Sequence, residues 1–337
     1  MYHEVVLGMP FVGHEDDFKA AGFRCIEVNV DRRGINPVTD IKLTGTYRKL
    51  LKAECPDMVI TYSIKPNIYA GLCCGMKKIP FYANVQGLGT AFQRKGLAQF
   101  VTLLYKTAFR KVQMVFFENE GNALEFLERK IVAKDKMKVL HGAGIDLKEY
   151  AYAEYPENDV FRFLYLGRVM KEKGMDELFA ACEQLHAEGE RFQLDLVGFF
   201  EDEYKRKVES MERQGIAKFH GFQMDPKPYY QACDCVVLPS YHEGMSNVLL
   251  EAAAMGRPDI TSNIPGCREA IDAGKTGLLC EKQDVASLKA AMKQMLAMSV
   301  AERRQMGLLG RRKMEREFDK RQVVRETVAA IKGETKS

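Results

Sequence analysis

The stretch HEGMSNVLLEAAAMGRP, His242 to Pro258, decides the architecture because it joins a buried strand to a helix through a short polar loop. The apolar run CVVLPS at 235–240 precedes it and is typical of a strand in a parallel sheet. Ser246 or Asn247 is the expected N-cap of the helix. Ligands gather at the carboxyl ends of strands in open parallel sheets. The free N–H groups of this helix start therefore predict a site for an anion such as a diphosphate.

Two glutamates accompany that helix start. Glu243 lies in the predicted loop, and Glu251 lies about one turn into the helix. A carboxylate can accept hydrogen bonds from two neighbouring hydroxyls, which suits a ribose diol or the edge of a pyranose. Taken alone, a helix cap and a surface glutamate are the simpler interpretation of this spacing.

A second segment, LGRVMKEKGMDEL, places two cations after another predicted strand. Arg168 and Lys173 lie in the strand-to-helix loop, at the same edge of the predicted sheet as Glu243. Two cations there would neutralise a bound phosphate and stabilise a departing diphosphate. Without the glutamate pair, two solvated surface cations would be the simpler explanation.

Short apolar runs alternate with helical patterns along the chain, which indicates α/β domains with parallel sheets and crossover helices. The polar segment 153–161 is typical of a linker between two similar halves. We therefore expect one domain at 1–156, a second at 157–318, and a final helix within 319–337 that could return to the first domain. The predicted strands are EVVLG, CIEVNV, DMVITY, FYANV, MVFFEN and MKVLHG in the front half, and FRFLYLG, FQLDLVG, CVVLPS, DITS and GLLC in the rear half.

Charge and cysteine content narrow the class of protein. Fifty Lys and Arg against 46 Asp and Glu leave a formal charge of +4, too small to indicate a nucleic-acid-binding protein. The nine cysteines lack zinc-ligand spacing and predict reduced, buried thiols. No apolar run approaches the ~20 residues that cross a bilayer, and the first residues lack the pattern of a secretory signal. A cytoplasmic location is therefore expected.

Taken together, these segments resemble the retaining glycosyltransferases of family 4. The matching motifs, in the family's order, are GRVMKEKG, HEGMSNVLLEAAAMGRP, IPGCREAI and GKTGLLC. The resemblance covers essentially the whole chain and implies the GT-B fold, an α/β architecture of two Rossmann-like domains that face a central cleft. The expected donor is a UDP-sugar. Because the rear half has no D-x-D motif, neither a metal ion nor another cofactor is expected.

The resemblance assigns roles to residues of the rear half. Arg168 and Lys173 would hold the donor diphosphate. Glu243 would contact the transferred sugar, and Glu251 would bind the nucleotide ribose. The expected catalytic residues are Glu243, Arg168 and Lys173, and the expected donor-binding residues are Gly167, Arg168, Lys173, Glu243, Gly244, Met245, Ser246, Asn247, Val248 and Glu251.

The front half resembles a narrower branch of that family, which builds capsule, O-antigen and lipid-linked glycan intermediates. The motifs are VDRRGINP, TYSIKPNIYAG, ANVQGLGTAF and HGAGIDLKEY, and the acceptor-side residues expected from them are Lys65, Asn67, Gln86, Gly87 and Gly144. Many family members carry His-Gly where this chain has Gln86-Gly87, so a histidine base is not carried over. Lys65 could meet an acceptor phosphate, and is equally well explained as a loop lysine before a proline turn.

Two further features concern the front half. Residues 92–112 combine apolar side chains with Lys and Arg, which predicts either a helix lying on an anionic membrane or a core helix with a solvated face. The chain also opens on a unit that is typical of a later part of such a domain. A first strand-turn-helix unit of about 20 to 30 residues is therefore expected to be missing.

The sequence thus predicts transfer of a hexose or N-acetylhexosamine from a UDP-sugar to a polyprenyl-diphosphate-linked saccharide, with retention at the anomeric carbon. The expected partners are the nucleotide sugar and the lipid-linked saccharide, without nucleic acid. Two alternatives stay open: a sugar-nucleotide 2-epimerase of the same fold, and a non-catalytic protein that binds a nucleotide sugar. The paired cation and glutamate motifs count against the epimerase, whereas the expected missing front unit favours the binding protein.

One residue departs from the family's pattern. Asp259 in GRPDITS stands where the family usually has an apolar residue. A carboxylate in a central strand is unfavourable unless it is paired or partly exposed. Replacement of Asp259 by valine is therefore predicted to stabilise the fold.

Overall fold

The computed structural model describes residues 4–13, 15–30, 36–89, 92 and 95–334. The chain divides into two compact units: Met1–Phe116 with Phe126–Lys138, and Phe117–Glu125 with Val139–Ser337. The predicted linker forms neither helix nor strand up to the start of a strand at its last residue, Phe161. The predicted domain limits after 156 and 318 remain predictions.

The front half of the chain contains a parallel pair of strands and a four-stranded sheet of order β3-β4-β5-β6. All six strands predicted for this half are present. They are β1 (Val6–Met9), β2 (Arg24–Glu27), β3 (Val59–Tyr62), β4 (Phe81–Val85), β5 (Met114–Phe117) and β6 (Met137–Val139). The helices are α1 (Glu15–Ala20), α2 (Pro37–Glu54), α3 (Ile64–Lys77), α4 (Lys95–Ala108) and α5 (Glu120–Glu128). Most of the motif VDRRGINP, residues 31–35, lies outside the described residues, as do residues 90 and 91 of ANVQGLGTAF.

The rear half contains a six-stranded parallel sheet of order β12-β11-β10-β7-β8-β9. Its strands are β7 (Phe161–Leu166), β8 (Phe192–Val197), β9 (Ala217–Phe219), β10 (Cys235–Leu238), β11 (Asp259–Ser262) and β12 (Gly277–Cys280). The helices are α6 (Met175–Ala187), α7 (Lys205–Arg213), α8 (Lys227–Ala232), α9 (Asn247–Ala254), α10 (Val285–Ala297), α11 (Val300–Glu317) and α12 (Lys320–Ile331). The sequence did not predict β9, because this edge strand has three residues and the exposed Lys218 at its centre.

The strand order of the rear sheet fixes where its loops meet. The chain starts at the centre with β7, builds β8 and β9 to one side, and then builds β10, β11 and β12 to the other side. The side to which strands are added therefore changes between the neighbouring parallel strands β7 and β10. This change is the topological switch point of a doubly wound sheet. The loops that leave the carboxyl ends of β7 and β10 therefore lie side by side.

Burial agrees with a sheet covered on both faces. Every residue of β10 and β11 is buried, as expected for central parallel strands. All nine cysteines carry free thiols, and seven of them are buried, which agrees with the prediction from their spacing. None of the described helices combines the length and the apolar character that a bilayer-spanning segment needs.

Asp259 is the exception in this core. It begins β11 and is 0% exposed. None of the described residues donates a hydrogen bond to either of its carboxyl oxygens. Burial raises the pKa of this carboxyl well above its usual value of 3.8, because the charged form loses its hydration. The residue is thus neither paired nor partly exposed.

Two glycines allow backbone segments to touch near the switch point. Gly174 ends the 3₁₀ turn Lys171–Lys173 with φ +74°, and a Cβ there would lie 2.1 Å from the carbonyl oxygen of Pro239. Gly266 has φ +85°, and a Cβ there would lie 2.2 Å from the carbonyl oxygen of Gly244. Only glycine permits both the left-handed conformation and this proximity.

Asp259→Val is expected to raise the melting temperature by several degrees, since removal of an unsatisfied buried polar group recovers about 1–3 kcal/mol. The gain should grow as the pH rises above about 4. In that range the unfolded carboxyl gives up its proton while the folded one retains it, so the wild type loses stability. Thermal melts at pH 5 and pH 8 measure both effects. Asp259→Asn is the control and should flatten the pH dependence; a lower melting temperature for Asp259→Val would contradict the interpretation.

Gly266→Ala is expected to lower the melting temperature more than Gly274→Ala does. Both glycines are left-handed, at φ +85° and φ +75°, so each variant carries a conformational cost of roughly 1–2 kcal/mol. Only Gly266 faces a backbone atom, because nothing lies within 4 Å of a Cβ at Gly274. Paired thermal melts measure the difference, and equal losses would show that the contact with Gly244 is easily relaxed.

Candidate functional site

The loop after β7 carries the first predicted cation. Gly167 follows the strand, and the hydroxyl of Tyr165 donates to the carbonyl oxygen of Arg168 at 2.5 Å. The guanidinium of Arg168 pairs with Glu201, with 2.7 Å between Nη1 and Oε2. Glu201 follows β8, and its N–H donates to the carbonyl oxygen of Val169 at 3.1 Å. The loops after two adjacent strands are thereby joined at Arg168.

The loop after β10 carries Glu243, and this residue meets the second predicted cation. Nζ of Lys173 lies 2.5 Å from Oε1 of Glu243, with 18% and 13% of the side chains exposed. This ion pair joins the loops after β7 and β10, 70 positions apart in sequence. The structure thus brings Lys173 and Glu243 together, as the sequence predicted for one sheet edge.

The start of α9 lies directly after that loop. The helix begins at Asn247, and Ser246 is its N-cap, although the Ser246 side chain makes no capping hydrogen bond. The N–H of Ser246 instead donates to the carbonyl oxygen of Gly266 at 3.0 Å. Met245 is buried, whereas Asn247 is exposed and Val248 is half-buried. The first N–H groups of a helix have no partner within it, so this end can bind an anion.

A buried amide supports the same loop. Asn119 is 1% exposed, and its side-chain N–H donates to the carbonyl oxygen of Gly244. Its Oδ1 accepts the N–H of Asn122 at 2.8 Å. No pattern in the sequence points to Asn119, because it lies 125 positions from Gly244.

Two tyrosines surround the second glutamate. Glu251 lies in α9, and its Oε2 accepts a hydrogen bond from the hydroxyl of Tyr230 at 2.7 Å. The hydroxyl of Tyr150 is near enough to this carboxyl to lower its pKa as well. Burial raises the pKa of Glu251, and the two tyrosine hydroxyls partly oppose that shift. The sequence predicts Glu251 as a site residue but neither of the tyrosines.

Two acceptor-side residues predicted from the front half lie in helix α3. Lys65 pairs with Asp40, with 2.9 Å between Nζ and Oδ1, and only 13% and 7% of the side chains are exposed. Asn67 is 1% exposed. Its Oδ1 accepts from Thr61 at 2.6 Å, and its Nδ2 donates to the carbonyl oxygen of Asn84 at 2.8 Å. In the structure, Asn67 therefore supports the packing of α3 against its sheet.

The other acceptor-side residues lie in different places. Gln86 follows β4 and is exposed, and its side-chain oxygen accepts a hydrogen bond from the hydroxyl of Ser63 at 3.3 Å. Gly87 follows it and is half-buried. Gly144 belongs to the rear unit, where a Cβ would lie 2.6 Å from Cα of Lys320. Among the described residues, no cluster of His, Cys, Asp and Glu has the arrangement of a metal site.

Two family profiles match the chain over most of its length. Residues 160–298 match "Glycosyl transferases group 1", and residues 2–119 match "Glycosyl transferase 4-like". The first match contains the switch-point loops and α9. The second contains the sheet of the front half up to β5.

Relatives and solved structures agree with these profiles. The chain is 28% identical over 303 residues to N,N'-diacetylbacillosaminyl-diphospho-undecaprenol alpha-1,3-N-acetylgalactosaminyltransferase of Campylobacter jejuni, which covers 85% of this chain and 80% of that protein. It is 27% identical over 166 residues to the capsular polysaccharide biosynthesis glycosyltransferase CapM of Staphylococcus aureus, covering 48% and 43% of the two chains.

The structure is also similar in fold to HepE of Anabaena in complex with UDP-glucose. The TM-score is 0.79 at 15% identity, and the match covers 97% of this chain and 91% of that chain. The doubly wound rear sheet, the loops that meet at its switch point, and both profiles lead to one conclusion. The chain belongs to the GT-B glycosyltransferases, with a "Glycosyl transferase 4-like" front half and a "Glycosyl transferases group 1" rear half.

Proposed function

We propose that this chain is a retaining glycosyltransferase of surface polysaccharide or glycan assembly. It would move a hexose or an N-acetylhexosamine from a UDP-sugar to a polyprenyl-diphosphate-linked saccharide. The observation that carries the proposal is the ion pair between Lys173 and Glu243, directly before the start of α9, where the loops after β7 and β10 meet. Arg168 lies in the same loop as Lys173. The process is supported by the names of the Campylobacter jejuni and Staphylococcus aureus relatives, which refer to a diphospho-undecaprenol compound and to capsular polysaccharide.

The donor diphosphate would bind between the start of α9 and the two cations. Asn247 and Val248 offer the unpaired N–H groups of a helix start to phosphate oxygens. Lys173 would share its ammonium between the diphosphate and Glu243. The side chain of Arg168 is 48% exposed, so it can leave Glu201 for a more highly charged anion.

Glu243 would contact the sugar that is transferred. Its Oε1 accepts a hydrogen bond from the Lys173 ammonium, which draws negative charge from the carboxylate. Such a carboxylate is a weaker nucleophile and a suitable acceptor for sugar hydroxyls. The contact therefore favours attack by the acceptor itself over a covalent intermediate on Glu243.

In the proposed reaction the bond between the anomeric carbon and the diphosphate oxygen breaks. The acceptor hydroxyl oxygen bonds to the same face of that carbon, and the leaving phosphate oxygen takes the hydroxyl proton. Arg168 and Lys173 would stabilise the charge that develops on the departing diphosphate. This scheme uses no cofactor, no metal ion and no histidine base, in agreement with Gln86 at the position where many family members have histidine.

On the acceptor side, Lys65 and Gln86 are the proposed contacts. The ammonium of Lys65 is held by Asp40, so an acceptor phosphate would compete with that carboxylate. Gln86 is exposed and can offer its amide to a saccharide hydroxyl. Asn67 is proposed only to support the strand end, because both atoms of its amide already have partners.

The exposed face of α4 supports contact with an anionic membrane. Phe100 and Leu103 are 48% and 62% exposed, and Lys106 and Arg110 are exposed one and two turns later. Tyr105 and its neighbours on the other face are buried. The helix thus has a core face and a face with apolar and basic side chains that suits the headgroup region. We place the lipid-linked acceptor at that surface.

Purified protein is expected to extend a polyprenyl-diphosphate-linked saccharide with one of UDP-galactose, UDP-N-acetylgalactosamine or UDP-N-acetylglucosamine. Nuclear magnetic resonance of the product should show the donor's anomeric configuration. Lys173→Ala should lower kcat by about 100-fold or more, because the leaving group loses a positive partner. Turnover in excess chelator should equal turnover without it.

Lys171→Ala is the matched control. Lys171 is 65% exposed and lies in the same 3₁₀ turn, where its ammonium is 3.8 Å from Asp176. Its loss should change kcat by less than about twofold. Epimerised free UDP-sugar without a lipid product would establish the 2-epimerase instead, and donor binding without any transfer would establish the non-catalytic protein.

Leu103→Asp is expected to reduce cosedimentation of the protein with phosphatidylglycerol vesicles several-fold, because a charge replaces an apolar contact at the surface. Ile41→Asp is the matched control, since Ile41 is 72% exposed on α2. It should leave vesicle binding unchanged. Absence of cosedimentation of the wild type with these vesicles would contradict the membrane contact.

A further inference from the structure

Tyr230 is a fully buried side chain whose only polar atom points at Glu251, the carboxylate proposed to bind the ribose. It is 0% exposed, and its hydroxyl donates to Oε2 of Glu251 at 2.7 Å. The same hydroxyl lies 3.4 Å from the carbonyl oxygen of Val248, one turn earlier in α9. A residue that never reaches solvent thus occupies one oxygen of a carboxylate expected to bind ligand.

Tyr230 is itself rigidly held. It lies in α8, and its carbonyl oxygen accepts from Nε of Arg257 at 2.7 Å. Arg257 is 0% exposed. The ring of Tyr150 packs edge-on against that of Tyr230, with 6.5 Å between centroids. The ring and its hydroxyl oxygen are therefore held at one position beside Glu251.

The hydrogen bond has a defined polarity. Burial raises the pKa of Tyr230 well above its usual value, so the hydroxyl keeps its proton and acts as the donor. A carboxylate that accepts this hydrogen bond on Oε2 no longer rotates freely. Its remaining lone pairs then point in one direction, as a diol acceptor requires.

We infer that Tyr230 is a positioning residue that holds the Glu251 carboxylate for the ribose hydroxyls and so sets selectivity for a ribonucleotide donor. The inference rests on the proposed function. Tyr230 does not touch the ligand, and acts only through Glu251. Its effect should therefore disappear when the ligand has no ribose hydroxyls.

Tyr230→Phe tests this by calorimetric titration with UDP and with 2′,3′-dideoxy-UDP. The Kd for UDP should rise about tenfold, the effect of losing a hydrogen bond to a charged group. The Kd for dideoxy-UDP should change by less than about twofold, so the ratio between the two ligands falls. Tyr229→Phe is the matched control, since this neighbouring tyrosine packs on His220 and should leave the ratio unchanged.

Equal losses of affinity for both ligands would overturn the inference and leave Tyr230 a packing residue. Failure of the wild type to bind UDP would instead refute the proposed function, and is visible before any variant is compared. In a Glu251→Gln background, Tyr230→Phe should cause no further fall in the ratio.

A second readout does not depend on the ratio. Loss of the Tyr230 donor should raise the pKa of Glu251 further, because this hydrogen bond opposes the shift caused by burial. The acid limb of UDP affinity should therefore move to higher pH in Tyr230→Phe and stay in place in Tyr229→Phe. An unmoved limb in both variants would overturn the inference.

Discussion

The contact between the loops that follow β7 and β10 is the constraint on which the site in the rear unit depends. Those strands are neighbours because the order in which strands are added changes side there. Gly174 allows one loop to pack against the carbonyl oxygen of Pro239. The ion pair between Lys173 and Glu243 forms across this contact. A side chain larger than hydrogen at position 174 would separate the loops and carry the cation away from the carboxylate. Electrostatics in this site is therefore set by backbone packing.

The charged side chains of the site form ion pairs within the protein. Lys173 is held by Glu243 and Arg168 by Glu201. Both pairs are only partly buried, so an anion can replace a carboxylate without the large desolvation penalty of a deeply buried pair. Under the proposed function, such exchange would let a diphosphate enter a site that is already arranged. Glu201 would then hold the guanidinium near the position from which it binds the anion.

Arg257 and Asp259 are two buried residues of the adjacent core that differ in whether their polar atoms have hydrogen-bond partners. Arg257 is fully buried, yet its guanidinium donates to the carbonyl oxygens of Tyr230, Ala153, Glu154 and Gln231, among others. The planar group has five donors, and this set of carbonyls matches them without any carboxylate. Asp259, two positions later, has no such partner. The arginine therefore joins the linker to α8 and orients Tyr230, whereas the aspartate gives the core an unsatisfied acid.

The sequence by itself determined the alternation of strands and helices, all but the shortest strand of the rear sheet, and the loops that carry Arg168, Lys173 and Glu243. These features are local, because hydrophobic period, helix caps and glycine turns act over a few residues. Only the tertiary structure decided that Tyr230 donates to Glu251, 21 positions away, and that Asn119 supports a carbonyl 125 positions away. Neither contact has a local pattern, because Tyr230 and Glu251 lie in separate helices, and Asn119 and Gly244 follow separate strands. The partners of the predicted site residues are therefore determined by contacts between distant parts of the chain and not by residue type.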